Sequence, residues 1–444
     1  MASCHDPDPA GPGIVGASCA VAEGSVVRAT CAVELAEPGP VEVELTDGVE
    51  GVVFTSAAST DRHEIPVWGL TAGANWDWVV RAAGEQVEGS VHTGALPAEY
   101  DLAIEVDPAA SGTVEMLFAA SSCSTESGRA VVFDAAGRVR WYADLRAEEG
   151  RMPVMASQYT EDHTVLAVLD QREWVEVDLL GETVVRVEPG LPVHHDLFRR
   201  DGQTWVLLAD ARPAPDGNTY VEDIVVTYEG AVEVDRWDER DHLVPSEDPP
   251  TPNSFWADEF PGAIDAWHTN GVYVTEGGDL LLSSLRAGSL WLVRDREIAW
   301  VLGGDADTVP LPSSFTFTGG GDPTFSGQHH PSFGPDGTVL LFDNDAPRGL
   351  ELSVDEVGQT ASLVADWPVA GPCEVQGSVF RTEDDHTVVT CASTQVVREF
   401  GPGGDRVATW ALGCPSGMST VPTRVQPVDL WAAQVGSVSA RRVR

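Results

Sequence analysis

The sequence predicts an all-β protein, a six-bladed β-propeller preceded by a small β-sandwich. Three observations predict it. Short β-branched and aromatic runs, punctuated by Gly and Pro, dominate a chain of 444 residues in which helical periodicity is scarce. From about residue 98 six units follow, near 114–146, 153–190, 194–245, 268–305, 329–368 and 373–412, each a set of short strands around Gly or Asp-Gly turns. Their shared part is about 40 residues with room for about four strands, the size of a propeller blade. Three units open on histidine, at His194-His195, His268 and His329-His330, and each continues through an apolar strand, a glycine turn and an apolar return strand. Repeats arranged around an axis would aim these histidines into one place.

In chain order, residues 1–13 read as a tether. Met1-Ala2-Ser3-Cys4 looks like the end of a bacterial lipoprotein signal, and His5 to Gly13 is rich in Pro, Asp and Gly. The expectation is an exported protein, periplasmic or cell-surface, lipid-anchored at Cys4, whose export signal is missing here or whose start was assigned late. Residues 14–97 read as the sandwich. Val41-Glu42-Val43-Glu44-Leu45 alternates, as does Trp76-Asp77-Trp78-Val79-Val80-Arg81-Ala82. The Gly69-Leu70-Thr71-Ala72-Gly73 turn before an aromatic strand, with Thr93-Gly94 and Pro97 at the exit, resembles a fibronectin type III or Ig-like module. Residues 98–444 are assigned to the propeller.

Acidic residues number 70 against 26 basic ones, for a formal net charge of -44, and every basic residue is an arginine. Such a surface repels nucleic acid and anionic membrane, so neither is an expected partner. No stretch reaches the roughly 18 apolar residues of a membrane span. The charges are spread rather than blocked, which fits a solvated folded surface. Of seven cysteines, Cys4 would take the lipid. Cys19 and Cys31 flank one strand-length run and Cys373 and Cys391 another; Cys123 and Cys414 would join the two ends of the large domain. Six paired cysteines suit an oxidising compartment, although sequence alone allows 15 connectivities. The longest insertions, His242–Ile264 and Ala306–Ser326, each precede a histidine-bearing strand and suggest a lid or substrate wall.

A lone histidine is usually a satisfied core or loop residue. Three at one phase of a repeat suit either a metal site or a catalytic cluster. Arg286, in Ser284-Leu285-Arg286-Ala287-Gly288-Ser289, favours the second. Its fixed charge repels a metal cation, whereas its planar fork matches a tetrahedral oxyanion. Asn270 lies two residues beyond His268, on the same face of a regular strand. Together these residues read as a pocket for sulfate or phosphate groups.

Five tags in order carry a resemblance to a known family: Asp265-Ala266-Trp267-His268-Thr269-Asn270, Ser284-Leu285-Arg286, Trp300-Val301-Leu302-Gly303-Gly304, Gln328-His329 and Phe342-Asp343-Asn344. They resemble the bacterial arylsulfate sulfotransferases that need no adenylylated sulfate donor (PAPS). The order and spacing match over about residues 190–345, and the architecture matches over nearly the whole chain. The resemblance implies that His329 is a nucleophile, transiently sulfated by an aryl sulfate donor and relieved by a phenolic acceptor. Arg286 and Asn270 would hold the sulfuryl oxygens. His268 and one of His194 and His195 would bind them too and act as acid or base. Repeat phase favours His194 and the His-Asp pair favours His195. The sulfuryl group is its own shuttle, so no cofactor and no metal are expected.

Gly271 stands where the family often has Ser, and Asp305 where Lys is common. His330 follows His329 and is a second candidate for the same role or else an outward-facing residue; Trp256, Phe255 and Trp267 are candidate aryl partners, and Asp343 and Asn344 read as turn and strand-end residues. Two rival readings share the histidines. One is a non-catalytic propeller that binds an anion or a glycan. The other is a metal-dependent hydrolase, which Arg286 disfavours.

Overall fold

The computed structural model describes residues 13–107, 111–124, 127–145, 154–244, 255–303, 313–413 and 424–443. Cys4 and most of the tether lie outside these residues. So do Asp305 and Cys414, and with Cys414 the proposed bridge to Cys123.

Six sheets of four or five antiparallel strands, with two short parallel additions, repeat along the chain as the blades of a six-bladed β-propeller. The first strands of five blades are short and carry polar residues of the site. Val154–Tyr159, Val193–Arg200, Thr269–Val274, His329–Phe333 and Ser378–Arg381 each begin a hairpin of blades two to six. Strands covered on both faces carry near-continuous apolar runs, as in Leu280–Ser284 and Val339–Asp343, which are buried at every position and turn polar only at their ends. Blades meet through clusters of these residues. Val272, Leu282 and Trp291 of the fourth blade pack with Leu207 and Val225 of the third, and Leu281 and Leu292 pack with Leu341 and Leu350 of the fifth. Each such fully buried side chain contributes about 1.5–3 kcal/mol, which is what holds neighbouring blades in register.

The ring closes from both ends of the chain. Ala103–Val106 adds to Arg406–Gly413 as the outer strand of the sixth blade, with Trp410 opposite Val106. Val425–Pro427 pairs with Met116–Ser124 in the first, with Val425 opposite Ala119. The insertion before His329 supplies Thr316–Thr318, a parallel edge strand on Thr360–Pro368. Its Phe315 and Phe325 are buried in the apolar cluster of that blade.

The chain divides into two compact units. One is Leu102–Ala130 with Ala143–Pro427. The other joins Met1–Asp101 to Val131–Tyr142 and to Val428–Arg444. In the second unit Ile14–Val21, Ala29–Thr46, Gly51–Val67, Asn75–Ala82, Glu85–His92, Gln434–Val435 and Val438–Val443 hydrogen-bond as a single seven-stranded sheet. The two separate sheets of a sandwich are not distinguished among the described residues. The C-terminal run 428–444, placed with the propeller from sequence, contributes Val438–Val443 beside Gly51–Ser56 here. Cys19 sits opposite Cys31 in the strand register and is bonded to it. Cys373 and Cys391 form the other disulfide among the described residues.

Candidate active site

The inner hairpins are irregular where the histidines lie. The strand register shifts between Val193 and Leu197, between Thr269 and Gly271, and between His329 and Ser332. His195, His268 and His330 take left-handed φ values of 48°, 52° and 52°. Non-glycine residues rarely adopt this region, and a bulge there breaks strand alternation and re-aims the side chain. One consequence is visible at Gly271. A Cβ on it would lie 2.3 Å from Cδ of Pro331 on the next blade, so the family's Ser has no room opposite this proline.

The bulges bring His195, His268 and His329 to the wall of one cavity of about 770 Å³. Phe255, Asn344 and Gln376 line it as well. Phe255 comes from the insertion before His268. Its ring centroid lies 4.6 Å from that of His195 and 5.2 Å from that of His268. The other aromatic candidates are elsewhere. Trp256 packs edge-on against His194, and Trp267 belongs to the core between the third and fourth blades. His330 faces a separate cavity of about 590 Å³, which Arg200, Tyr273, Phe380 and Arg424 share, and its Nδ1 lies 3.4 Å from the Val379 N–H.

His329 is held on one side. Asn344 donates its Nδ2 hydrogens to the carbonyls of Cys373 and Gln376, both at 2.7 Å, and this turns Oδ1 toward the imidazole. Nδ1 of His329 then lies 2.8 Å from Asn344 Oδ1 and 3.0 Å from Gly327 O. Both neighbours are acceptors, so Nδ1 carries the hydrogen and Nε2 keeps its unshared pair. Burial is the main reason that the His329 pKa falls to about 4, and the charge of His268 adds to it. The ring is a neutral base at ordinary pH.

His268 is held by a carboxylate, with Nδ1 2.5 Å from Asp265 Oδ2. Asp265 comes from Ile264–Asp265, which pairs in parallel with Tyr220 and Val221 of the third blade. On the far side, His268 Nε2 lies 3.1 Å from His195 Nε2. Burial, then the charges of His268, His194 and His329, push the His195 pKa well below the ordinary histidine value.

The pair left open by sequence therefore divides. His195 lines the cavity, whereas His194 is fully buried behind it, Nδ1 3.0 Å from His195 Nδ1 and Nε2 3.1 Å from Asp223 Oδ1.

Arg286 reaches the site through Asp265. Its Nε is 3.7 Å from Asp265 Oδ2, and its side chain is 28% exposed. Asn270 is buried and is not among the residues that line the cavity. Its Nδ2 donates to Gln328 O at 2.9 Å, and its Oδ1 has no hydrogen-bond partner. Same-face alternation from His268 fails because the bulge intervenes. Asn344, Asp265 and Asp223 were not singled out from sequence as site residues. The first two stand inside recognisable tags, but Asp223 has no local signal at all.

Fold and cavity together define a β-propeller with a histidine-lined pocket, backed by carboxylates and an arginine. The chain belongs to the arylsulfotransferase (ASST) family, whose model matches residues 103–368. That family implies sulfotransfer without PAPS, from an aryl sulfate donor to a phenol acceptor. No curated protein matches the sequence. Among solved structures, a Bacteroides caccae protein of unknown function overlays with a TM-score of 0.43 at 11% identity, covering 71% of this chain and 99% of its own. Virginiamycin B lyase from Staphylococcus aureus overlays with a TM-score of 0.33 at 11% identity, covering 57% and 69%. Overlaps this loose carry no argument about the site.

Proposed function

We propose that the protein is an arylsulfate sulfotransferase that works in two steps through a sulfated His329. The observation that carries the reading is the Asn344–His329 contact, which supports a neutral imidazole with Nε2 free for attack. Nε2 attacks the sulfur of an aryl sulfate, the S–O bond to the aryl oxygen breaks, and a phenol leaves. The ring, now bearing the sulfuryl group on Nε2 and a hydrogen on Nδ1, is cationic. Asn344 Oδ1 and Gly327 O, both already accepting from Nδ1, stabilise that charge where it develops. An acceptor phenol then takes the sulfuryl group and restores the imidazole. Arg286 is assigned to the sulfuryl oxygens and Phe255 to the aryl ring, while Asn270, buried with its Nδ2 on Gln328 O, is assigned to holding the backbone that leads into His329. His195 and His268 are assigned to proton transfer.

The chain is further read as exported and anchored through Cys4. Its disulfides suit such a compartment. Residues 14–97 are read as a fibronectin-like module without chemistry of its own.

The test is intact-protein mass after brief mixing with a chromogenic aryl sulfate, with and without phenol. The expected result is a gain of one sulfuryl group, lost on adding acceptor and absent in His329→Asn. A folded wild-type protein that gains no adduct and releases no phenol would overturn the reading.

A further inference from the structure

The cavity that His330 faces shares no lining residue with the one that holds His195, His268 and His329. Those three histidines stand at or beside the heads of inner strands. The second cavity, of about 590 Å³, is built from the other ends of the same strands, where Phe198, Arg200, Tyr273 and Phe333 lie, and from the turns that follow. Gln158 of the second blade, Phe380 of the sixth and Arg424, beside the strand that closes the first, complete the ring. Contributions from all six blades put this cavity on the propeller axis, at the turn end of the inner strands. Its volume is that of an ordinary small-molecule site.

Its charge runs against that of the chain. Acidic residues outnumber basic ones by 70 to 26, yet Arg200, Arg381 and Arg424 line this cavity against one carboxylate, that of Glu276 on an exposed turn. Arg381 is neutralised by Glu351 at 2.8 Å. Arg424 gives Nη2 to Asp196 Oδ1 at 2.7 Å and makes no other hydrogen bond among the described residues. Arg200 pairs with no carboxylate among the described residues. Its guanidinium donates to the Val274 carbonyl and the Tyr273 hydroxyl, and lies 5.4 Å and 5.3 Å from the ring centroids of Phe198 and Tyr273.

His330 adds a neutral donor. The Val379 N–H donates to its Nδ1 at 3.4 Å, so the ring hydrogen is on Nε2. Burial, then the charge of Arg424, holds the His330 pKa well below the ordinary value. The residue is only 8% exposed, and its Nε2 has no hydrogen-bond partner among the described residues. A guanidinium without a carboxylate and a buried N–H without an acceptor, on one cavity, call for an anion.

Much of the remaining wall is aromatic. Phe198, Tyr273, Phe333 and Phe380 are all half-buried, each with part of its ring left to the cavity. Ring centroids lie 4.8 Å apart for Phe198 and Tyr273, 6.0 Å for Tyr273 and Phe333, and 4.5 Å for Phe380 and His330. Edges and faces at these spacings suit a flat ring. The net charge of -44 repels a polyanion from the surface, which leaves a single charge as the better match.

We propose that this cavity is a second binding site, which takes a small aromatic monoanion: one ring bearing a carboxylate or a sulfur oxyanion. The oxyanion is drawn to the His330 Nε2–H and to Arg200 and Arg424, and the ring lies among Phe198, Tyr273 and Phe380. The proposal goes beyond sulfotransfer and does not depend on it.

The test is isothermal titration with benzoate and with benzenesulfonate, neither of which carries a transferable sulfuryl group, and with inorganic sulfate as the anion without a ring. The proteins are wild type, Arg200→Gln, Phe380→Leu and Arg286→Gln, the last removing the arginine beside the other cavity. Unfolding curves accompany each, and Phe380→Leu carries the test if Arg200→Gln does not fold. The expected result is binding of one or both aromatic anions that survives Arg286→Gln. Arg200→Gln weakens it about 10- to 100-fold, the worth of one charge-assisted hydrogen bond. Phe380→Leu weakens it several-fold, and inorganic sulfate binds less tightly and ignores that change. A preference between the two aromatic probes tells which oxyanion the site takes. Three outcomes would overturn the proposal: no binding at millimolar concentration, binding that depends on Arg286 but not on Arg200 or Phe380, and inorganic sulfate binding as tightly as benzoate.

Discussion

Nδ1 of His329 lies 2.8 Å from Oδ1 of Asn344, and the amide that presents this oxygen is pinned by two main-chain carbonyls on the next blade. The contact fixes the tautomer of the imidazole and leaves the unshared pair on Nε2. It exists because His329 is opposite Phe342 in the strand register, which leaves Asn344 two residues past the pair at the strand end.

Asn344→Ala removes the acceptor and strands two carbonyls. The expected outcome is a drop in kcat of about 100-fold with little change in KM, because the contact strengthens as the ring becomes cationic. Stability should fall by about 1–3 kcal/mol from the lost hydrogen bonds. Steady-state kinetics with a chromogenic aryl sulfate and thermal unfolding check the two parts separately.

The acid limb of the pH–rate profile belongs near pH 4, not near the ordinary histidine value of 6.5, because His329 is neutral until then. Stability moves with a definite sign. The folded value lies below the unfolded one, so the native state is fully favoured above about pH 6.5 and loses stability as pH falls from there to about 4, by about 3 kcal/mol from this group. His195 and His330, lowered chiefly by burial, act in the same direction. Rates measured immediately after a pH jump, beside circular dichroism at the same pH, separate nucleophile protonation from unfolding. A rate limb at 6.5 in folded protein contradicts the neutral, buried nucleophile.

Arg286→Lys keeps a positive charge beside Asp265 but loses the planar fork. The expected result is a 10- to 100-fold loss in kcat/KM for the sulfate donor, about the worth of one or two charge-assisted hydrogen bonds. If lysine supports full activity, the arginine supplies charge alone.

Gly271→Ser puts the family's residue where a Cβ would meet Pro331 at 2.3 Å. The substitution should destabilise by about 1–3 kcal/mol, and Pro331→Ala in the same protein should recover most of it. Denaturant unfolding of the two single variants and the double variant measures the coupling; simple additivity would mean that the two residues do not exclude one another.

Much of the molecule was legible because its signals are local. Turn glycines and apolar return strands recur at a spacing that allows six blades and little else. Cys19 and Cys31, and likewise Cys373 and Cys391, bracket strand-length runs and are bonded. His268 and His329 stood out by sharing an unusual residue type at the head of repeated strands, and both line the cavity. The choice between His194 and His195 was not legible. Strand alternation decides a side chain's face only in a regular strand, and the register shift between Val193 and Leu197 removes that rule.

The sequence by itself determined the blade count, the family and the histidine pairs and singles that supply the cavity's three imidazoles, since periodicity and short tags are properties of neighbouring residues. Tertiary structure alone decided that His195 faces the cavity, that Asn344 orients His329, and that Asp223 stands behind His194. The reason is physical. These relationships depend on bulged backbone and on strands of different register and different blades being packed side by side. Residue spacing along a chain records neither the local break in alternation nor the distance between two strands once the ring has closed.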